Sequence, residues 1–144
     1  MDGNEVEAVV AMFVNRERPT SVRITPSIGD GGVDIIDAAP ALDGTSDVYQ
    51  VKKYTAPLTS RQKAEVEKSL KTLTTDKRWA GKHGTWYLVT PWDPTPEAYK
   101  WFKDLTKTYD FSAVWHGLAY VEQLAAKHPD VVDYYLHGGA NLTD

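Results

Sequence analysis

The 144-residue sequence contains no cysteine. That excludes disulfides, thiol catalysis and thiolate-bound zinc or iron–sulfur clusters, and it accords with a reducing compartment. No stretch approaches the roughly 20 consecutive apolar residues of a membrane-spanning helix. Asp2, Glu5 and Glu7 give the first residues the wrong charge for a signal peptide, so the cytoplasm is the expected location and no membrane partner is expected. His83, His116, His128 and His137 lack the spacing of zinc ligands with supporting acids. The glycines at 29–32 are not followed by the Lys and Ser/Thr of a phosphate-binding ATP loop. An excess of positive charge is also missing: 16 basic residues stand against 20 acidic ones, a formal charge of −4. This argues against a general DNA-coating protein but leaves a local groove open.

What is present suits one globular domain over residues 1–144. Hydrophobic residues make up 42% of the chain and charged ones 25%, which excludes a wholly disordered polymer. Val6, Val9, Val10 and Phe13 form a helical stripe that predicts a helix over 5–15, with Asn4 and Glu7 spaced as a capping box. Short strands are expected at 22–24 and 33–38, then a loop over 39–47. Residues 47–54 alternate, with Val48, Gln50, Lys52 and Tyr54 on one face and Tyr49, Val51 and Lys53 on the other. The two strands read as a hairpin. Thr59-Ser60-Arg61-Gln62 starts a helix over 60–75 whose core stripe is Val66, Leu70 and Leu73. A strand over 85–90, a helix opened by Thr95-Pro96-Glu97, a strand over 111–115 and a helix over 117–127 follow. Residues 131–136 form a further short element, and 138–144 a loose tail. Helix crossovers favour parallel pairing late in the chain, after an antiparallel start. The fold class is therefore α/β, a central mixed sheet flanked by helices in three layers. Trp79, Trp86, Trp101 and Trp115 are expected to pack in the core or an interface, and Trp92 to sit exposed in the turn at 91–94.

Asp34 lies in an apolar strand, where a carboxylate is costly unless exposed, paired or metal-bound. Gln50 and Lys52 are two residues apart and share a strand face. If the strands pair as a hairpin, Asp34, Gln50 and Lys52 converge at one end of the sheet. Asp34, the Gln50 amide oxygen and the Val51 carbonyl then offer hard oxygens of the kind Mg²⁺ takes, with Mn²⁺ a substitute. Glu7 adds a carboxylate from the first helix, directly or through water. Lys52 is suited to orient a water or to offset charge growing on a phosphate. Such a set suits phosphodiester hydrolysis and needs no organic cofactor.

Gly29-Asp30-Gly31-Gly32-Val33-Asp34-Ile35-Ile36, followed by Tyr49-Gln50-Val51-Lys52-Lys53-Tyr54, resembles the Mrr-like restriction endonuclease family. That family lies in the PD-(D/E)xK nuclease superfamily, in a branch where glutamine often replaces the second acid. The resemblance runs over about residues 5–128, through Leu88-Val89-Thr90, Thr95-Pro96-Glu97-Ala98 and Trp115-His116-Gly117. It implies a restriction-endonuclease-like fold and a metal-binding role for Asp34. It makes Gln50 and Lys52 the QxK pair and Glu7 the first-helix glutamate. It gives Gln62 a supporting place behind the site, while Asp30 shapes the glycine turn. Val33 stands where a proline precedes the acid in other branches. Gln50 is a neutral ligand, which predicts weaker metal binding than a carboxylate would give.

Residues 50–82 hold nine Lys or Arg and three acids, a basic middle in an acidic chain. Lys53, Arg61 and Lys63 are candidate phosphate contacts, and no helix-turn-helix or zinc-finger pattern points to base reading. The expected function is a metal-dependent DNA endonuclease acting in restriction or phage defence. Its expected partners are double-stranded DNA, a second copy of the chain in a homodimer or higher oligomer, and a fused or separate effector domain. Three rivals stay open: a catalytically weak or inactive DNA-binding module of the same fold, a protein-interaction domain, and RNA as substrate.

Overall fold

The computed structural model describes residues 3–24, 34–37, 46–52, 58–75, 83–109 and 111–136. The predicted glycine turn with Asp30, the predicted strand positions Lys53 and Tyr54, Trp79 and the predicted tail at 138–144 lie outside them. The chain order is α1 (Gly3–Glu17), β1 (Val22–Arg23), β2 (Ile35–Asp37), β3 (Ser46–Val51), α2 (Ser60–Thr75), β4 (His83–Val89), α3 (Pro96–Thr106), β5 (Ser112–His116), α4 (Leu118–Lys127) and α5 (Pro129–Leu136). The five strands form one sheet in the order β1-β2-β3-β4-β5. β1, β2 and β3 pair antiparallel, and β3, β4 and β5 pair parallel. Sequence pattern predicted this mixed sheet, because only the connections after β3 are long enough to hold a crossover helix.

Period-two alternation in β3 and β4 builds two cores. Val48, Trp86 and Leu88 pack under Val66, Leu70 and Leu73 of α2 and Ala98 and Phe102 of α3. Tyr49, Val51 and Val89 point the other way, onto Val10 and Val14 of α1. A third cluster joins Val9 and Phe13 of α1 to Leu124 of α4 and Val131 of α5. Each fully buried aliphatic or aromatic side chain contributes roughly 1.5–3 kcal/mol to holding these layers.

The helix starts follow capping chemistry. Thr59 and Gln62 close a reciprocal box, Thr59 N donating to Gln62 Oε1 at 3.0 Å and Gln62 N to Thr59 Oγ1 at 3.2 Å. Thr95 accepts from Ala98 N at 3.1 Å, with Pro96 next to it. Before α4 the cap is Gly117, which has no side chain to offer; Asp93 Oδ1 instead accepts from Ala119 N at 3.0 Å. A Cβ on Gly117 would lie 2.6 Å from that same oxygen, so the glycine makes room for its borrowed cap.

Some boundaries differ from expectation. α1 begins at Gly3, so Asn4 lies inside its first turn rather than capping it. Pro129 does not merely end α4 but opens α5, since a proline fits the first helical position. Trp92 is half-buried rather than exposed, edge-on to Trp115 with ring centroids 5.6 Å apart. Asp34 stands outside the regular strand, which begins at Ile35, for a reason that concerns the site.

A closed polar cluster sits where β3 begins. Asp37 and Asp47 are directly opposed across β2 and β3, an arrangement that destabilises unless a cation intervenes. Arg18, just past α1, does so, with NH1 2.6 Å from Asp47 and 3.5 Å from the buried Asp37. Thr20 donates to Asp37 at 2.7 Å, Thr85 N to Asp47 at 3.0 Å, and Arg18 NH2 to the Tyr87 hydroxyl at 3.1 Å. The guanidinium also lies over Tyr49 and Tyr87, which stack at 4.4 Å. His116 continues the stack between Tyr87 and Tyr120.

Candidate active site

The other end of β3 has a different character. Asp34 stands immediately before β2, and its main chain is held on both sides. Its amide donates to Tyr49 O at 3.0 Å and its carbonyl accepts from Ile24 N at 2.8 Å. Its carboxylate accepts from Val51 N at 2.7 Å. The side chain thus fills a ladder position that a main-chain carbonyl of β2 would otherwise hold, and the regular strand starts only at Ile35. This aims the carboxylate along the sheet edge, beside the Gln50-Val51-Lys52 segment.

Gln50 and Lys52 share the face that packs under α2, by alternation from Val48. Lys52 N closes the ladder onto Val89 O at 2.9 Å, and its ammonium donates to Ser69 Oγ on α2 at 3.3 Å. Gln50 is 4% exposed. Among the described residues, its Oε1 is the one buried side-chain oxygen or nitrogen with no hydrogen-bond partner. Leaving such an acceptor unmade costs about 1–3 kcal/mol. That oxygen belongs to the residue before Val51, whose amide holds the Asp34 carboxylate.

Glu7 comes from the opposite layer. It shares the sheet-facing side of α1 with Val10 and Val14, and is buried. Its Oε1 accepts from Arg23 Nε of β1 at 3.3 Å, while the Arg23 side chain stays 43% exposed. Glu7 thus lies on the α1 side of the sheet, while Gln50 and Lys52 lie on the α2 side. No three His, Asp or Glu residues among those described form a metal-holding cluster. The donors on offer are carboxylates combined with neutral oxygens.

The remaining candidates scatter. Gln62 spends its amide oxygen on the Thr59 cap. Arg61 is 90% exposed, with Glu65 3.7 Å away. Lys63 lies over the Trp101 ring at 5.5 Å, on the flank of α2 that faces α3. Lys53 and Asp30 lie outside the described residues. Ser69 escaped sequence reasoning, which looked to Gln62 for a supporting residue on this helix. Its signal was there: Ser69 is a polar residue at the edge of the 66, 70, 73 stripe, seven residues or about two turns beyond Gln62.

A five-stranded mixed sheet between helix layers is the architecture of a restriction-endonuclease-like domain. Residues 1–109 match the model of the Mrr catalytic-domain family, described as restriction endonuclease. The chain belongs to that family. No curated protein matches the chain. No described helix is long and apolar enough to cross a membrane.

Proposed function

We propose that this domain is a metal-dependent endodeoxyribonuclease hydrolysing phosphodiester bonds, with a role in restriction or phage defence. The observation that carries the reading is the unpartnered, buried Gln50 Oε1, on the same face as Lys52 and one residue before the Val51 amide that holds the Asp34 carboxylate, in a chain of this family. Asp34, Gln50, the Val51 carbonyl and Glu7 are oxygen donors of the hardness Mg²⁺ selects, and Mn²⁺ suits the same set. A divalent ion held there would lower the pKa of a bound water and offset charge on the phosphate.

The protein's own contribution is position. The Val51 amide fixes the Asp34 carboxylate, and the β4 ladder fixes the Lys52 main chain. Lys52 brings a positive charge to the face where a phosphate would lie, orienting the attacking water and stabilising developing negative charge. Arg23 neutralises Glu7 in its buried setting and positions its carboxylate. The exposed Arg61, Lys68 and Lys71 of α2 supply backbone contacts with strong salt dependence. Cutting both strands requires two such sites, which favours a homodimer or larger assembly. A cytoplasmic location fits the cysteine-free sequence.

The test is nicking of supercoiled plasmid over a range of protein concentrations with Mg²⁺ or Mn²⁺. The expected result is cleavage abolished by EDTA and reduced about a hundred-fold or more in Asp34→Asn and Lys52→Ala. Asparagine keeps an acceptor for Val51 N while removing the charge, so folding is preserved. A wild type that binds DNA at low salt yet never nicks it sinks the enzyme reading. It would favour the second reading, a DNA-binding module of the same fold, which draws support from the neutral Gln50 and from the Arg23 pairing of Glu7.

A further inference from the structure

We infer that Ser69 is a positioning residue for Lys52, a role that rests on the nuclease reading above. A lysine ammonium sits at the end of four flexible methylenes and has much rotamer freedom to lose. Fixing the Lys52 main chain on Val89 O does not place its Nζ. Ser69 Oγ, 3.3 Å from that Nζ, gives it a fixed acceptor on α2. The helix backbone that carries the hydroxyl is held firmly, because Ser69 is flanked on α2 by Val66, Leu70 and Leu73, all of them buried in the core under the sheet. The anchor is thus tied to the same packed layer that defines the Gln50 and Lys52 face.

The chemistry of the anchor matters as much as its place. A carboxylate at this position would pin the ammonium more tightly, but it would cancel the charge a phosphate needs. A hydroxyl accepts one of the three ammonium N–H bonds and, unlike a carboxylate, brings no negative charge of its own. Ser69 also lies about 120° around α2 from Lys63, which is engaged with Trp101. The helix therefore divides its labour: one flank locks onto α3 and the other orients the site lysine.

Threonine and valine have nearly the same shape and differ by the hydroxyl, so Ser69→Thr and Ser69→Val isolate it, with Ser69→Ala as the simple truncation. Plasmid nicking by each full-length variant, with kcat and KM for DNA measured separately, decides the matter. The expected result is a fall in kcat of about ten-fold for Ser69→Ala and Ser69→Val, the worth of one oriented hydrogen bond. KM and the melting temperature stay unchanged, and Ser69→Thr stays close to wild type. Equal rates for the Thr and Val variants overturn the proposal, as does a loss that appears only in KM or tracks lost folding. If Lys52→Ala is inactive while Ser69→Ala and Ser69→Val cleave like wild type, Ser69 alone loses its role. If wild type and Lys52→Ala behave alike, the nuclease site fails and this inference falls with it.

Discussion

The two ends of β3 hold similar residues to opposite effect. At the start, Asp47 meets Asp37, Arg18, Thr85 and Tyr87 in a cluster where the guanidinium bridges both carboxylates. Burial works against the Arg18 charge, yet the bond to Asp47 and the electrostatic pull of Tyr49, Tyr87 and Asp47 together more than offset it and raise the guanidinium pKa. At the far end, the buried Gln50 Oε1 has nothing to accept from. One end is a finished structural joint that ties α1 to three strands. The other holds a polar atom in the protein interior without the bond that would justify it. The difference teaches that buried polarity alone does not mark a site; incomplete satisfaction of that polarity does.

Substitutions at the two ends should therefore separate activity from stability. The largest effect is expected at the open end, where Asp34→Asn removes cleavage with little change in melting temperature. Arg18→Ala should do the reverse. It leaves Asp37 and Asp47 facing each other without their cation, and should lower unfolding free energy by about 3 kcal/mol in urea titrations. Its cleavage rate per folded molecule should match wild type. If Arg18→Ala silences cleavage in a folded protein, the division between joint and site is wrong.

A smaller effect sharpens the contrast further. Gln50→Leu removes the orphaned oxygen, so stability should hold or rise by about 1 kcal/mol, while Mn²⁺ binding measured by calorimetry is lost. A drop in stability of more than about 2 kcal/mol would show that the oxygen has a partner after all. The smallest effect concerns His116, in the ring stack that extends from Arg18. Burial, with the nearby Arg18 charge, holds its pKa below the ordinary 6.5. The unfolded chain therefore binds the extra proton first as pH falls. The stabilising contribution is complete above 6.5 and declines as pH drops from there through the folded value. In His116→Phe that part of the decline should vanish, seen as a smaller difference in melting temperature between about pH 7.5 and about pH 5 than wild type shows.

Much of the fold was legible because its signals are local. The Thr59 box, the 66, 70, 73 stripe and the Thr95-Pro96 start depend on residues within one or two turns of each other. The antiparallel pairing of the Asp34 segment with the Gln50 strand was also legible, since a short loop between two strands favours a hairpin. The Arg18 joint was not: its partners lie 19 to 69 positions away, and no spacing rule connects them. Nor could spacing tell Gln62, taken up by its own cap, from Ser69, which reaches Lys52.

The sequence by itself determined the elements, the mixed sheet and the face on which the QxK pair stands, because periodicity and capping act over a few residues. Only the tertiary structure decided which polar groups are satisfied and which are left wanting. Hydrogen bonds and ion pairs form between neighbours in space, and here those neighbours come from distant parts of the chain.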